Sequence, residues 1–115
     1  MPASALSELE HSAASAARLL KIMASEQRLL ILCRLAQGEA SVGVLSDCAH
    51  LTQTGASQHL ARMRSEGLVA TRRDGQTIWY RLENAAIAHV MQALCDIYGS
   101  HRYGSHKARV EPELA

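Results

Sequence analysis

Apolar residues recur at helical steps along the first half of the chain. Leu6, Leu9, Ala13, Ala16, Leu20 and Met23 fall on one stripe, which predicts a helix running to about residue 24, with Ser7 and Glu10 at capping-box spacing near its start. Ser25 is placed to cap a second helix, whose stripe is Leu29, Leu32, Cys33 and Ala36 and whose stop is Gly38. Ser41 opens a short third helix with Val42, Leu45 and Ala49 inward. Only His50, Leu51 and Thr52 intervene before a fourth helix, capped by Thr52, with Ala56, Leu60 and Met63 inward and Gly67 at its end. Two short helices joined by so brief a turn predict a helix-turn-helix.

The period then changes from helical to alternating. LVATRR and QTIWYRL read as strands, and Asp74-Gly75 between them is a strong hairpin signal because both residue types tolerate positive φ. With those two as the turn, Arg73 faces Gln76, Thr71 faces Ile78 and Val69 faces Tyr80. The ribbon is then a β-wing with an apolar root and a tip carrying Arg72, Arg73 and Gln76. A last helix from about Asn84 to Tyr98 aligns Ile87, Val90, Met91, Leu94 and Tyr98, a stripe with few partners inside so small a domain, and such faces form oligomer seams. From Gly99 onward the periodicity ends, and a mobile tail is expected. The expected fold is therefore mainly α with a two-stranded β-wing: a winged helix-turn-helix over residues 1–98 that dimerises through its first and last helices, followed by a tail over 99–115.

Composition narrows the function. At 115 residues the chain has the size of one domain. It is 48% hydrophobic with no Phe, so the core is aliphatic, which suits packed helices. No apolar run reaches the roughly 18 residues of a membrane span, and the N-terminus has neither a basic nor an apolar signal region, so a cytoplasmic protein without a membrane partner is expected. Three cysteines do not suit a secreted disulfide scaffold. The net charge of +1 is unremarkable until it is located: Arg62, Arg64, Arg72, Arg73 and Arg81 face only Glu66 and Asp74 as acids between positions 52 and 82. That is the footprint of a local nucleic-acid-binding face. No Gly-x-Ser-x-Gly, P-loop or His-Glu-x-x-His spacing occurs, so neither an enzyme nor a cofactor is expected.

With these elements in order, ASEQRLLILCRL, GEASVGVLSD, LTQTGASQHLARMRSEGLV and RRDGQTIWYRL together resemble the ArsR-type (arsenic-repressor-like) winged helix-turn-helix transcriptional repressors from about Ala14 to Tyr98. The resemblance implies a homodimer that pairs through its first and last helices, sits on a palindromic double-stranded DNA operator, and leaves DNA when an inducer binds or modifies it. On the fourth helix, short polar groups near the N-terminus let the backbone approach the major groove, where an amide can read base edges. Gln53, Thr54, Ser57, Gln58 and Arg62 are the expected contacts there, with His59 reaching a phosphate. Arg72, Arg73 and Gln76 at the wing tip are expected to meet phosphate or the minor groove. A winged helix can also serve as a protein-interaction module without DNA binding, and a salt-insensitive affinity for duplex DNA would favour that alternative.

The family's metal sites supply a test of what is sensed. Where the resemblance leads one to expect Cys-x-Cys at the start of the third helix, Ser41 and Gly43 stand; where it leads one to expect an Asp-x-His and His-x-x-His set on the last helix, Asn84, Ala86, Ile97 and Ser100 stand. These are poor zinc ligands, and no metal site is expected there. A nonstandard Cys/His site drawing on His11, His89, Cys95, His101 and His106 is the alternative. Cys33 and Cys95 resemble the dithiol pair of the persulfide- and redox-sensing branch, which implies a small reactive sulfur species or oxidant as inducer. The second cysteine of that branch is expected where Gly99 stands, one helical turn beyond Cys95, which leaves open whether the two thiols meet. A reactive thiol needs a nearby cation or exposure, and Arg34 and Arg102 are the nearest cations in sequence. Cys33 also reads as an inert core residue, Cys48 as an exposed bystander, and His50 as a helix-ending residue in left-handed geometry.

Overall fold

The computed structural model describes residues 3–99. Its order is α1 (Ala3–Met23), α2 (Glu26–Leu35), β1 (Ala40–Ser41), α3 (Val42–Ala49), α4 (Gln53–Ser65), β2 (Val69–Asp74), β3 (Thr77–Leu82) and α5 (Ala85–Tyr98). The helices begin where the hydroxyl and amide residues predict. Ser25 Oγ accepts from the Arg28 N–H, Ser41 from Val44, Thr52 from Gly55, and the Asn84 side chain from Ala86, each satisfying a donor that the first helical turn leaves free. α1 is the exception. It starts ahead of Ser7, whose carbonyl instead takes a hydrogen bond from His11 Nδ1 inside the helix, so the expected capping box does not form.

The core is aliphatic and lies where α2, α3, α4, α5 and the root of the sheet converge. Ile31, Leu32, Leu45, Leu60, Met63, Leu68, Val69 and Ile87 are the largest of its fully buried side chains. Leu29, Cys33, Val42, Tyr80, Val90 and Leu94 pack around it half-buried. Three expectations about faces are corrected. Ala36 is exposed beyond the end of α2, because the inward stripe runs through Ile31 and Leu35. Leu6, Leu9 and Leu20 of the α1 stripe are about half exposed, and only Ile22 and Met23 enter the core. Ile87 and Met91, read as part of a seam, are core residues instead, and the outward face of α5 carries Ala86, Ala93 and Ile97.

The sheet is three-stranded and antiparallel in the order β1-β3-β2. The two-residue β1 escapes a periodicity argument; it pairs Ala40 with Tyr80 and Ser41 with Trp79. The hairpin register also differs from expectation. Asp74 pairs with Thr77, Arg73 with Ile78, Arg72 with Trp79, Thr71 with Tyr80 and Val69 with Leu82, so the turn residues are Gly75 and Gln76. Gly75 has φ +66, and His50 is the one non-glycine residue with positive φ among those described. Positive φ at the first central position alone is the II′ pattern, which takes glycine there, whereas an Asp74-Gly75 turn would need it at both. The slip is two residues, so every side chain keeps its expected face.

Candidate nucleic-acid interface and thiol cavity

The helix-turn-helix is closed by backbone geometry at His50. Its φ of 58 and ψ of 43 are left-handed, and its N–H reaches the Ser46 and Asp47 carbonyls to end α3, as the sequence predicts. Leu51 N–H also donates to the Ser46 carbonyl at 2.9 Å, and the buried Ser46 hydroxyl donates to the Gly43 carbonyl. Gly55 lies so close to the next cap that a Cβ there would fall 3.3 Å from Thr52 Oγ1. α4 thus leaves its cap at a fixed angle, anchored by Ala56, Leu60 and Met63, all fully buried. Thr54, Ser57, Gln58, Ala61 and Arg62 are exposed together on the opposite face. Gln53 is exposed too, with its amide beside Gly43 of α3.

Charged partners separate the basic residues that the sequence reading grouped. His59 turns off the exposed face. It is half-buried, and its Nδ1 accepts from Arg28 Nε at 3.0 Å while Arg28 Nη1 donates to the Ile22 carbonyl at 2.8 Å. Burial, and then the Arg28 charge, pull its pKa below the ordinary histidine value. Arg28 therefore ties the end of α1 to the flank of α4. Arg18 of α1 holds Glu66 through two hydrogen bonds of 2.9 and 3.2 Å, with Arg62 standing 3.8 Å away. The hydrogen bond from Arg18, followed by the charges of Arg18 and Arg62, keeps the Glu66 carboxyl below the usual range.

At the wing, Arg72 does not stand free as expected. It grips Glu39 in two hydrogen bonds of 2.8 and 2.9 Å, with its guanidinium 5.9 Å from the Trp79 ring centroid. Arg73 leaves the opposite face of the ribbon, exposed, with no ion pair among the described residues, and Gln76 sits exposed in the turn. Sequence reasoning missed the roles of Arg18, Arg28 and Glu39. Each acts through a partner 31 to 48 positions away, a separation that no local spacing signals.

Between α2 and α5 lies an open apolar cavity of about 290 Å³ lined by Leu29, Leu30, Cys33, Met91, Leu94, Cys95, Tyr98 and Gly99. Both thiols are half-buried and free. Burial pushes the Cys33 thiol up, and Cys95 adds to this by charge and by hydrogen bonding, with a smaller contribution from Cys48. Cys33 and Cys95 are thus close neighbours despite the one-turn departure in sequence. Cys48, read as exposed, is half-buried on α3 within electrostatic reach of Cys33. Arg34 is directed elsewhere, donating to the Gly38 carbonyl at 3.1 Å. No three His, Cys, Asp or Glu side chains gather into a metal site among the described residues, and His101, Arg102, His106 and the rest of the expected tail beyond Gly99 lie outside them. No helix among the described residues is long and apolar enough to cross a membrane.

A recognition helix held by a capped three-residue turn, beside a basic β-wing, defines a winged helix-turn-helix DNA-binding protein of the transcription-regulator class. Residues 25–71 match the family described as "Bacterial regulatory protein, arsR family". The chain is 45% identical to the "Transcriptional activator HlyU" of Vibrio cholerae over 93 residues, which is 81% of this chain and 86% of that protein. It therefore belongs to the ArsR family. The structure of "Reduced HlyU" from Vibrio cholerae aligns with a TM-score of 0.74 at 45% identity, covering 79% of this chain and 96% of that one. The "transcriptional repressor BigR" from Xylella fastidiosa aligns with a TM-score of 0.75 at 38% identity, over 80% and 94%. A homodimeric winged helix-turn-helix domain, Mb0332 from Mycobacterium bovis, aligns with a TM-score of 0.66 at 29% identity, over 92% and 95%.

Proposed function

We propose that the protein is a homodimeric repressor that occupies a palindromic operator in its reduced state and releases it when the Cys33 and Cys95 thiols are modified. The observation that carries this reading is the meeting of the two thiols at one apolar cavity between α2 and α5, because α2 packs behind the helix-turn-helix and α5 is a dimerising element in the proposed assembly. In this reading Thr54, Ser57 and Gln58 address base edges, Gln53 and Arg62 flank them, and Arg73 with Gln76 anchors the wing. The description of one relative's structure as reduced HlyU, and of Mb0332 as homodimeric, supports the redox and assembly parts respectively. The domain is then residues 1–98, working in the cytoplasm.

The chemistry requires one thiolate and one thiol. A persulfide donor transfers a neutral sulfur atom to the first thiolate and leaves as its own thiolate, adding about 32 Da. The second cysteine then displaces hydrosulfide from that adduct and closes a disulfide. With a peroxide, the first thiolate attacks one oxygen, the O–O bond breaks and hydroxide leaves, giving a sulfenic acid, from which the second thiol displaces water to close the disulfide. To empty a mostly occupied operator, the modified protein must bind about 100-fold more weakly, close to 3 kcal/mol of coupling.

The test is operator binding by the reduced protein, repeated after sulfane sulfur, peroxide and a panel of divalent metals, with intact mass recorded each time. Release by sulfur or peroxide, reversed by a reductant and abolished by Cys33→Ser or Cys95→Ser but not by Cys48→Ser, is the expected result. Release by a metal alone would replace this reading with a Cys/His metal site, and DNA affinity insensitive to salt would replace it with a protein-interaction module.

A further inference from the structure

Arg72, Trp79 and Ser41 are lateral neighbours across the three strands, since Arg72 pairs with Trp79 and Trp79 with Ser41. Their side chains therefore share one face of the sheet. Glu39 lies two residues before Ser41, and the Arg72 side chain crosses the indole to meet its carboxylate at both oxygens. The bidentate fork uses the donors with which an arginine would grip a phosphate. Arg73, one residue on, points from the other face and has no such partner among the described residues. The wing thus carries two adjacent arginines, of which one is already neutralised by an internal carboxylate.

We infer that Glu39 is an affinity-limiting residue for DNA: it acts as an internal substitute for phosphate that holds Arg72 on Trp79 and leaves Arg73 as the wing's charge for the DNA backbone. This rests on the reading above that the wing meets DNA. Phosphate contacts carry no sequence information, so each added one tightens operator and random duplex alike and steepens the salt dependence. By withholding Arg72, Glu39 keeps the protein from binding random duplex more tightly while leaving base reading by α4 untouched. Two residues to the C-terminal side of Trp79, Arg81 shares that face, and its charge also acts on Glu39, so the carboxylate is a small acidic centre between two cations.

The experiment is a salt titration of operator and random-duplex binding by the reduced full chain and by Glu39→Gln, Glu39→Ala, Arg72→Ala, Arg73→Ala and the Glu39→Ala/Arg72→Ala double variant, with thermal melts to verify folding. Releasing Arg72 should add about 0.9 to the salt slope, which widens the ratio of affinities at 50 and 200 mM salt by about 3.5-fold on both duplexes. Arg72→Ala alone should change DNA affinity by less than about 2-fold, and the double variant should lose the gain. The inference is overturned by an Arg72→Ala loss equal to that of Arg73→Ala, by unchanged salt slopes in folded Glu39 variants, or by a gain that survives in the double variant. An Arg73→Ala protein with wild-type affinity would instead remove the wing from the DNA interface, a failure of the underlying reading.

Discussion

Gln58 and Arg73 are both exposed, yet the structure gives them different surroundings, and the proposed function gives them different work. Gln58 projects from the first half of a helix whose inward face is locked, so on the proposed operator its amide would be held at a fixed height where hydrogen bonds to a base edge discriminate. Arg73 projects from a strand near a turn, where, in the proposed complex, a guanidinium would satisfy whatever phosphate is nearest. Gln58→Ala should cost about 1 to 3 kcal/mol on the operator and relax preference at one base pair, whereas Arg73→Ala should weaken every duplex alike and lower the salt slope by about one. Parallel binding curves on operator and random DNA test this, and equal losses on both duplexes for both variants would contradict the division. The thiols make a separate prediction at this scale. Cys33 is held above the ordinary cysteine value of 9.0, first by burial and then by Cys95, so its thiolate is scarce at neutral pH. Alkylation of Cys33, followed by mass on a Cys48→Ser/Cys95→Ser background as well as in the wild type, should accelerate through a midpoint above 9 in the wild type. The midpoint should fall when Cys95, which adds to the shift, is removed.

Between helices, polar long-range contacts add to the apolar anchor of α4. Arg28 holds His59 on the flank of α4 while donating to the end of α1, which makes the orientation of α4 sensitive to the state of one imidazole. The charged group that acts on that imidazole is Arg28 from α2; the carboxylate of Glu66, which caps α4, is held by Arg18 and Arg62. His59 is depressed below 6.5 in the folded chain. The unfolded chain therefore binds the proton more readily, and the stability due to a neutral His59 is complete above pH 6.5 and is lost as pH falls from 6.5 through the lower folded value. Glu39 and Glu66 are lowered from 4.5 by their arginines, so their contribution disappears in a separate window below 4.5. Thermal melts between pH 7 and 5 should show the histidine step, and His59→Gln, which keeps a neutral acceptor for Arg28, should flatten it; a step that survives in His59→Gln would sink this assignment. These polar ties are also what the sequence could not disclose. The caps of α2, α3 and α4 and the inward stripes of α3 and α4 were legible because Ser25, Ser41 and Thr52 act over three residues and Leu45, Leu60 and Met63 recur at helical spacing. The Glu39–Arg72, Arg28–His59 and Arg18–Glu66 pairs depend on how elements pack, and β1 exists only because β3 offers it an edge. The hairpin register lies two residues from expectation because Gly75 alone takes positive φ, at the first central position of the turn, while Asp74 stays in the strand.

Viewed across the whole molecule, two surfaces of α5 do different things. Its inner face puts Ile87 and Met91 into the core and Cys95 at the cavity, while its outer face exposes Ala93 and, at 66%, Ile97. α1 likewise exposes Leu6, Leu9 and Leu20 at about half their surface. Apolar side chains on two helices that the fold does not cover fit the proposed dimer seam, and a dimer places two α4 helices on half-sites about one DNA turn, roughly 34 to 36 Å, apart. Met91→Lys would damage the core and is no test of the seam. Ile97→Glu removes apolar surface from an exposed position and should give a folded monomer by sedimentation, with operator binding reduced to that of a single half-site; an unchanged dimer would exclude this face. The same variant separates the thiol chemistry from its consequence. Cys33 and Cys95 belong to one protomer's α2 and α5, so the monomer should still form the bridge, at the same mass change as wild type. If bridging acts by shifting α5, and with it the spacing of the two recognition helices, the oxidised monomer should bind a half-site within about 2-fold of the reduced monomer, while the dimer loses about 100-fold on the full operator. A monomer that loses half-site affinity as steeply as the dimer would place the switch inside the helix-turn-helix, through α2 and Cys48 on α3, and not in the geometry of the assembly.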